Sequence, residues 1–196
     1  MARRETPEIN AGSMADIAFL LLIFFLVTTT MDTDTGISRK LPEKPDPNFV
    51  PPILKEKNVF EVNVNRRNEI LVEGEIYMKI EDLREATIAF IDNGGGTAEN
   101  LAKENLSVCS WCNGEKDPSS SDHPKKAIIS LQSDRGTSYG TYIAVQNELV
   151  GAYTDLRNKY ANTKFGRDFK DLTGEQQKVI KKDIYPQIIS EAEPTK

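Results

Sequence analysis

Cysteine, histidine and tryptophan are nearly absent, at two, one and one residues in 196. Two cysteines are too few for a disulfide-stapled scaffold or for a four-ligand zinc site built from this chain alone. A single histidine, His123, rules out any metal or catalytic cluster that needs two imidazoles. Basic residues are outnumbered: 25 Lys and Arg face 30 Asp and Glu, for a net charge of -5. With no long basic run, nucleic acid is not a partner. The triple glycine at Gly94 lacks the lysine and the strand-turn-helix setting of a phosphate loop. No cofactor or metal signature is present, so the chain reads as a non-enzyme.

Charge is also missing from one long stretch. Between Glu8 and Asp32 the only charged side chain is Asp16. The stretch is long enough to cross a hydrocarbon core roughly 30 Å thick. Its centre, Ile17 to Val27, is unbroken apolar, and Thr28 to Thr30 can bond back to helix carbonyls. Arg3 and Arg4 precede it, while Asp32 and Asp34 follow, which predicts a cytoplasmic N-terminus and an external body. Arg39 and Lys40, beyond the span, pull against that assignment. A cleaved signal peptide is the competing reading. The absence of a small-residue cleavage site and an acid at the head of the run favour an uncleaved anchor.

An ionisable side chain within a span marks a functional site. Loss of water disfavours the charged form of a carboxyl. Such a group can take up and release a proton near neutral pH. One proton crossing the membrane potential releases about 2.3 kcal/mol per 100 mV. The competing reading leaves Asp16 solvated at the cytoplasmic interface.

The run from Ile9 and Asn10 through Asp16 to Val27, followed by Leu41-Pro42, resembles the ExbD/TolR family. Gly12 and Ser13 stand where that family often has a proline. The resemblance implies that Asp16 carries protons, and that the anchor works as a homodimer within a ring of an ExbB-like multi-span partner. It further implies that Ile37, Ser38, Arg39, Lys40, Leu41 and Pro42 dock a TonB-like protein. The implied place is the bacterial inner membrane, with the lipid bilayer around the anchor and the folded domain in the periplasm. TonB-dependent transport and TolR-type envelope integrity both fit.

The fold class expected is α+β. It comprises a cytoplasmic N-terminus (1–12), a transmembrane helix (13–33), a proline-rich linker (34–56), a small periplasmic domain (57–165) and a helical C-terminal extension (166–196). Phe60, Val62 and Val64 alternate with polar residues, and Ile70 to Val72 return after a polar turn at Arg66 to Asn68, giving a hairpin. Ile80, Leu83, Thr87, Phe90 and Ile91 share a helix face that ends at the glycines. Ala127 to Leu131 reads as a strand, and a long helix follows from about Tyr139. Thr173 and Gln176 form a capping-box pattern that opens a helix through about Tyr185. The strand-strand-helix-strand-helix order matches the ExbD/TolR domain. The insertion at about 93–125 and the tail are additions, and resemble the extended Bacteroidetes-type ExbD proteins.

The insertion holds Cys109-Ser110-Trp111-Cys112. In an oxidising compartment the pair forms a disulfide clip. Thiol exchange by a membrane-tethered oxidoreductase is the alternative, as is a released binding module. His123 reads as a solvated loop residue.

Overall fold

The computed structural model describes residues 11–28, 54–74 and 76–192. It comprises two units, divided near Val50. The first contains helix α1, Ala11–Thr28. Its 18 residues have a mean hydropathy of 2.1 and none is buried. Thr28 Oγ1 donates to the carbonyls of Phe24 and Phe25, at 2.9 and 3.2 Å. The hydroxyl is thereby satisfied inside its own helix. This helix lies within the expected 13–33 segment, except that it starts two residues earlier.

The second unit is an α+β domain. Its sheet has the order β3-β2-β1-β4-β5. The strands are β1 (Val59–Val64), β2 (Ile70–Val72), β3 (Ile76–Met78), β4 (Ile128–Ser133) and β5 (Ile189–Glu191). The pairs β1–β2 and β2–β3 are antiparallel, while β1–β4 and β4–β5 are parallel. The hairpin turn is fixed by Asn65, whose Oδ1 accepts from the Arg67 and Glu69 amides at 2.8 and 3.0 Å. Asn68 takes a φ of 65° there, a conformation Asn tolerates.

Helices α2 (Ile80–Ile91) and α4 (Tyr139–Phe165) cover the sheet. Alternation along β1 sends Phe60, Val62 and Val64 into the core. They meet Leu83, Phe90 and Ile91 of α2 and Val145, Leu149, Tyr153 and Leu156 of α4. Phe60 and Phe90 place their ring centroids 5.1 Å apart. Ser138 caps α4 by accepting from the Thr141 amide, and Gly166, at a φ of 66°, ends it. On this helix Tyr153 is buried whereas Tyr139 is 77% exposed.

Three parts depart from the sequence reading. First, β3 extends the hairpin to a third strand. Its three residues are too few to display alternation. Second, the 93–125 segment is not an open loop. It contains a short helix, α3 (Ala98–Ala102), and its backbone is stitched to the end of α2. The Gly95 and Gly96 amides donate to the Ser121 and Asp122 carbonyls, and the Gly114 amide donates to Asp92. A Cβ on Gly95 would lie 2.0 Å from the Asp117 carbonyl oxygen, so only glycine allows this approach.

Third, the tail is not wholly helical. The capping box is present, with Thr173 and Gln176 each accepting from the other's amide. Helix α5 (Gly174–Val179) runs into a π-helical turn, Ile180–Ile184. Beyond Pro186 the chain then forms β5, which joins the domain's own sheet beside β4. The reading of 166–196 as a helical extension is corrected in that respect. The stretch Ile189–Glu191 is made a strand by an available sheet edge, not by local pattern.

Candidate functional site

Asp16 lies in the second turn of α1, about 7.5 Å along the axis from the first helical residue. It is the one charged residue of that helix. Its carboxylate makes no hydrogen bond or ion pair among the described residues. Phe19, Leu20 and Ile23, at helical spacing on its side, are all exposed. Gly12 and Ser13 sit one turn before it. Small residues at that position let another helix come close to the carboxyl. Alone, α1 can neither shelter the charge nor offer it a second route to water.

The predicted docking stretch, Ile37, Ser38, Arg39, Lys40, Leu41 and Pro42, lies outside the described residues. The flanking charges Arg3, Arg4, Asp32 and Asp34 do too.

Cys109 and Cys112 are joined by a disulfide, with Cα atoms 5.5 Å apart. Both are buried, at 2% and 7% exposure. Exchange needs a thiolate to reach a sulfur, and here the loop would have to open first. The bridge rests on Gly94, where an added Cβ would fall 2.9 Å from Cys112 Cβ. It thus pins the insertion against the residues that end α2. Between the cysteines, Trp111 meets the rings of His123 and Tyr160 edge-on, at 5.7 and 6.5 Å.

His123 is a correction to the sequence reading. It is 1% exposed, not solvated. Its Nδ1 accepts from the Lys125 amide at 3.0 Å. Burial, then the charges of Lys125 and Lys126, push the imidazole down to about 4, so it is neutral. Beside it, the Asp122 carboxylate is also buried. Lys57 Nζ stands 2.6 Å from Oδ1, Lys126 Nζ 3.6 Å from Oδ2, and Asn58 Nδ2 donates to Oδ2 at 3.2 Å. Burial pushes this carboxyl up. The hydrogen bonds from Lys57 and Asn58, with the lysine charges, outweigh it and hold the group below its ordinary value.

A second buried network escaped the sequence reading. The Tyr185 hydroxyl donates to Asp92 Oδ1 at 2.6 Å, and Lys159 Nζ lies 3.6 Å from Asp92 Oδ2. Arg157 donates twice to the Tyr185 carbonyl, at 3.1 and 2.9 Å. Burial, then the Asp92 contact, drive the Tyr185 hydroxyl far up, so it remains a donor. These groups are separated by up to 93 positions in sequence, and no local pattern links them. They hold the tail onto α2 and α4. Asp134 and Gly136 close the turn that leads into α4: Asp134 Oδ1 accepts from the Gly136 amide at 2.9 Å.

The buried acids Asp92 and Asp122 are thus matched by cations of the domain, whereas Asp16 has no such partner among the described residues. A lone acid in an apolar helix, ahead of a small self-contained α+β domain, fits a single-span membrane subunit. The family profile of the biopolymer transport protein ExbD/TolR matches residues 2–157. The chain belongs to the ExbD/TolR family, whose members are non-enzymatic motor subunits of biopolymer transport. No individual curated protein matches it.

Proposed function

We propose that the chain is the proton-carrying subunit of an inner-membrane motor driven by the proton-motive force. It works with an ExbB-like partner ring and energises TonB-dependent transport across the outer membrane. The observation that carries this reading is the single carboxyl, Asp16, in an otherwise uncharged helix of 18 residues. Outside water, that carboxyl is far cheaper neutral than charged. Two copies of α1 inside a ring supply the shelter that one helix lacks. Each protonation then removes a charge, and each release restores it. Helices that favour one state over the other must shift as the proton passes, and the potential supplies the work. The domain sits in the periplasm, and the segment Ile37 to Pro42 receives the TonB-like protein.

The test is Asp16→Asn, which keeps size and polarity but cannot ionise. Energised uptake of large outer-membrane ligands should be abolished, while membrane insertion and co-purification with the ring are retained. Normal uptake by the variant sinks the proposal. Envelope leakage with intact uptake, on deletion of the gene, assigns the motor to the TolR-type role instead.

A further inference from the structure

We propose that the tail of the domain is a cationic docking face for the phosphate headgroups of anionic phospholipid. Lys164, Arg167, Lys170, Lys178, Lys181 and Lys182 are all exposed. None of them forms an ion pair among the described residues, whereas Lys57, Arg84, Lys125 and Lys126 all do. Three acids, Asp168, Asp171 and Glu175, lie in the same stretch and Asp183, paired with Lys125, adjoins it, which still leaves residues 164–183 net positive in a chain of net charge -5. Unpaired exposed cations are thus dense in this one stretch of the chain.

The fold gathers these residues. Gln177 Nε2 donates to the Lys170 and Leu172 carbonyls, at 3.3 and 3.0 Å, and Asn158 Oδ1 accepts from the Phe169 amide at 3.1 Å. Lys181 Nζ stands 5.6 Å from the Phe169 ring centre. Lys178 is three and four residues from Lys181 and Lys182, so the three share one helical side. A small buried cluster of Ala161, Leu172 and Ile180 supports the stretch from beneath. Apolar groups stand among the cations: Val179 is 52% exposed and Phe165 39%. Exposed lysines with interspersed apolar side chains suit a headgroup boundary, where charge attracts and the apolar groups insert.

A lipid partner is favoured over an acidic protein because the same chain carries an apolar helix fit to span a bilayer, so such a surface is always present. The family match ends at residue 157, so this face lies beyond what the family has in common. The proposal needs α1 as an anchor but not Asp16 as a proton carrier.

The full chain, reconstituted in nanodiscs, tests it by lysine labelling read by mass spectrometry. Labelling of Lys178, Lys181 and Lys182 should be severalfold slower in discs containing phosphatidylglycerol than in pure phosphatidylcholine. High salt should remove the difference, because it screens exposed charges. Labelling of the exposed Lys103 and Lys116 should be equal in both. In a Lys178→Gln/Lys181→Gln/Lys182→Gln variant, whose changes are all at the surface, Lys170 should lose its lipid-dependent protection. Equal rates in the two lipids overturn the proposal. So does protection that appears only on adding a partner protein, whatever the lipid. Asp16→Asn should leave the contrast intact, which separates this test from that of the motor.

Discussion

Two aspartates, Asp16 and Asp122, show how differently one chain can treat the same side chain. Asp122 is buried among groups that the fold itself supplies: Lys57, Lys126 and Asn58. Asp16 stands on a bare apolar helix with no partner among the described residues. The first is held in one ionisation state by a rigid neighbourhood. The second has its surroundings left to whatever assembles around it. A proton carrier needs the second arrangement, because a permanent counter-charge would lock it. Structural acids need the first.

The sharpest way to break the comparison is to neutralise each acid. Asp16→Asn should abolish coupled transport and leave the thermal midpoint of the domain unchanged. Asp122→Ala should do the reverse in kind. Loss of a buried acid strands Asn58 and Lys57, and should cost about 3 kcal/mol, the low end for such pairs because Lys57 can still reach water. Urea titration measures it. A stability loss from Asp16→Asn of similar size would erase the distinction.

His123 sharpens the contrast through pH. Its folded value, about 4, lies below the ordinary 6.5. The unfolded chain therefore binds more protons between these values, and stability rises with pH across that window. The contribution is complete above 6.5 and is lost as pH falls toward 4. Between neutral pH and about pH 5 the domain should lose about 2 kcal/mol through this group. A His123→Gln variant should flatten that slope, and an unchanged slope refutes the assignment.

Smallest is the disulfide, which closes a loop of only a few residues. Replacing both cysteines by serine should cost roughly 2 kcal/mol or less. Uptake should persist, because neither sulfur is placed for exchange. Loss of uptake without loss of folding would revive an exchange role for the pair.

Where side chains repeat with a strong period, the fold was legible in advance. Phe60-Val62-Val64 alternate, and Leu83, Thr87, Phe90 and Ile91 recur at helical spacing, so β1 and α2 stand out. Asp16 was equally legible, as one charge in a long uncharged run. The short strands β3 and β5 were not. Three residues cannot display a period, and they become strands only by pairing with an edge already built. His123 was misread for a related reason. A segment rich in Gly, Ser, Asn and Asp has the composition of a solvated loop. Here its glycines let backbone pair with backbone, as at Gly95 and Ser121, and that pairing buries the polar side chains between.

The parallel register of β1 with β4 has a mechanical consequence. Six residue pairs align along these strands, from Val59–Ile128 to Val64–Ser133. A tug delivered at the start of β1, along its length, loads all of those rungs together in shear. They must fail at once instead of opening one after another like a zipper. The strand that receives the chain from its anchor is thus gripped in the geometry that best withstands a pulling force.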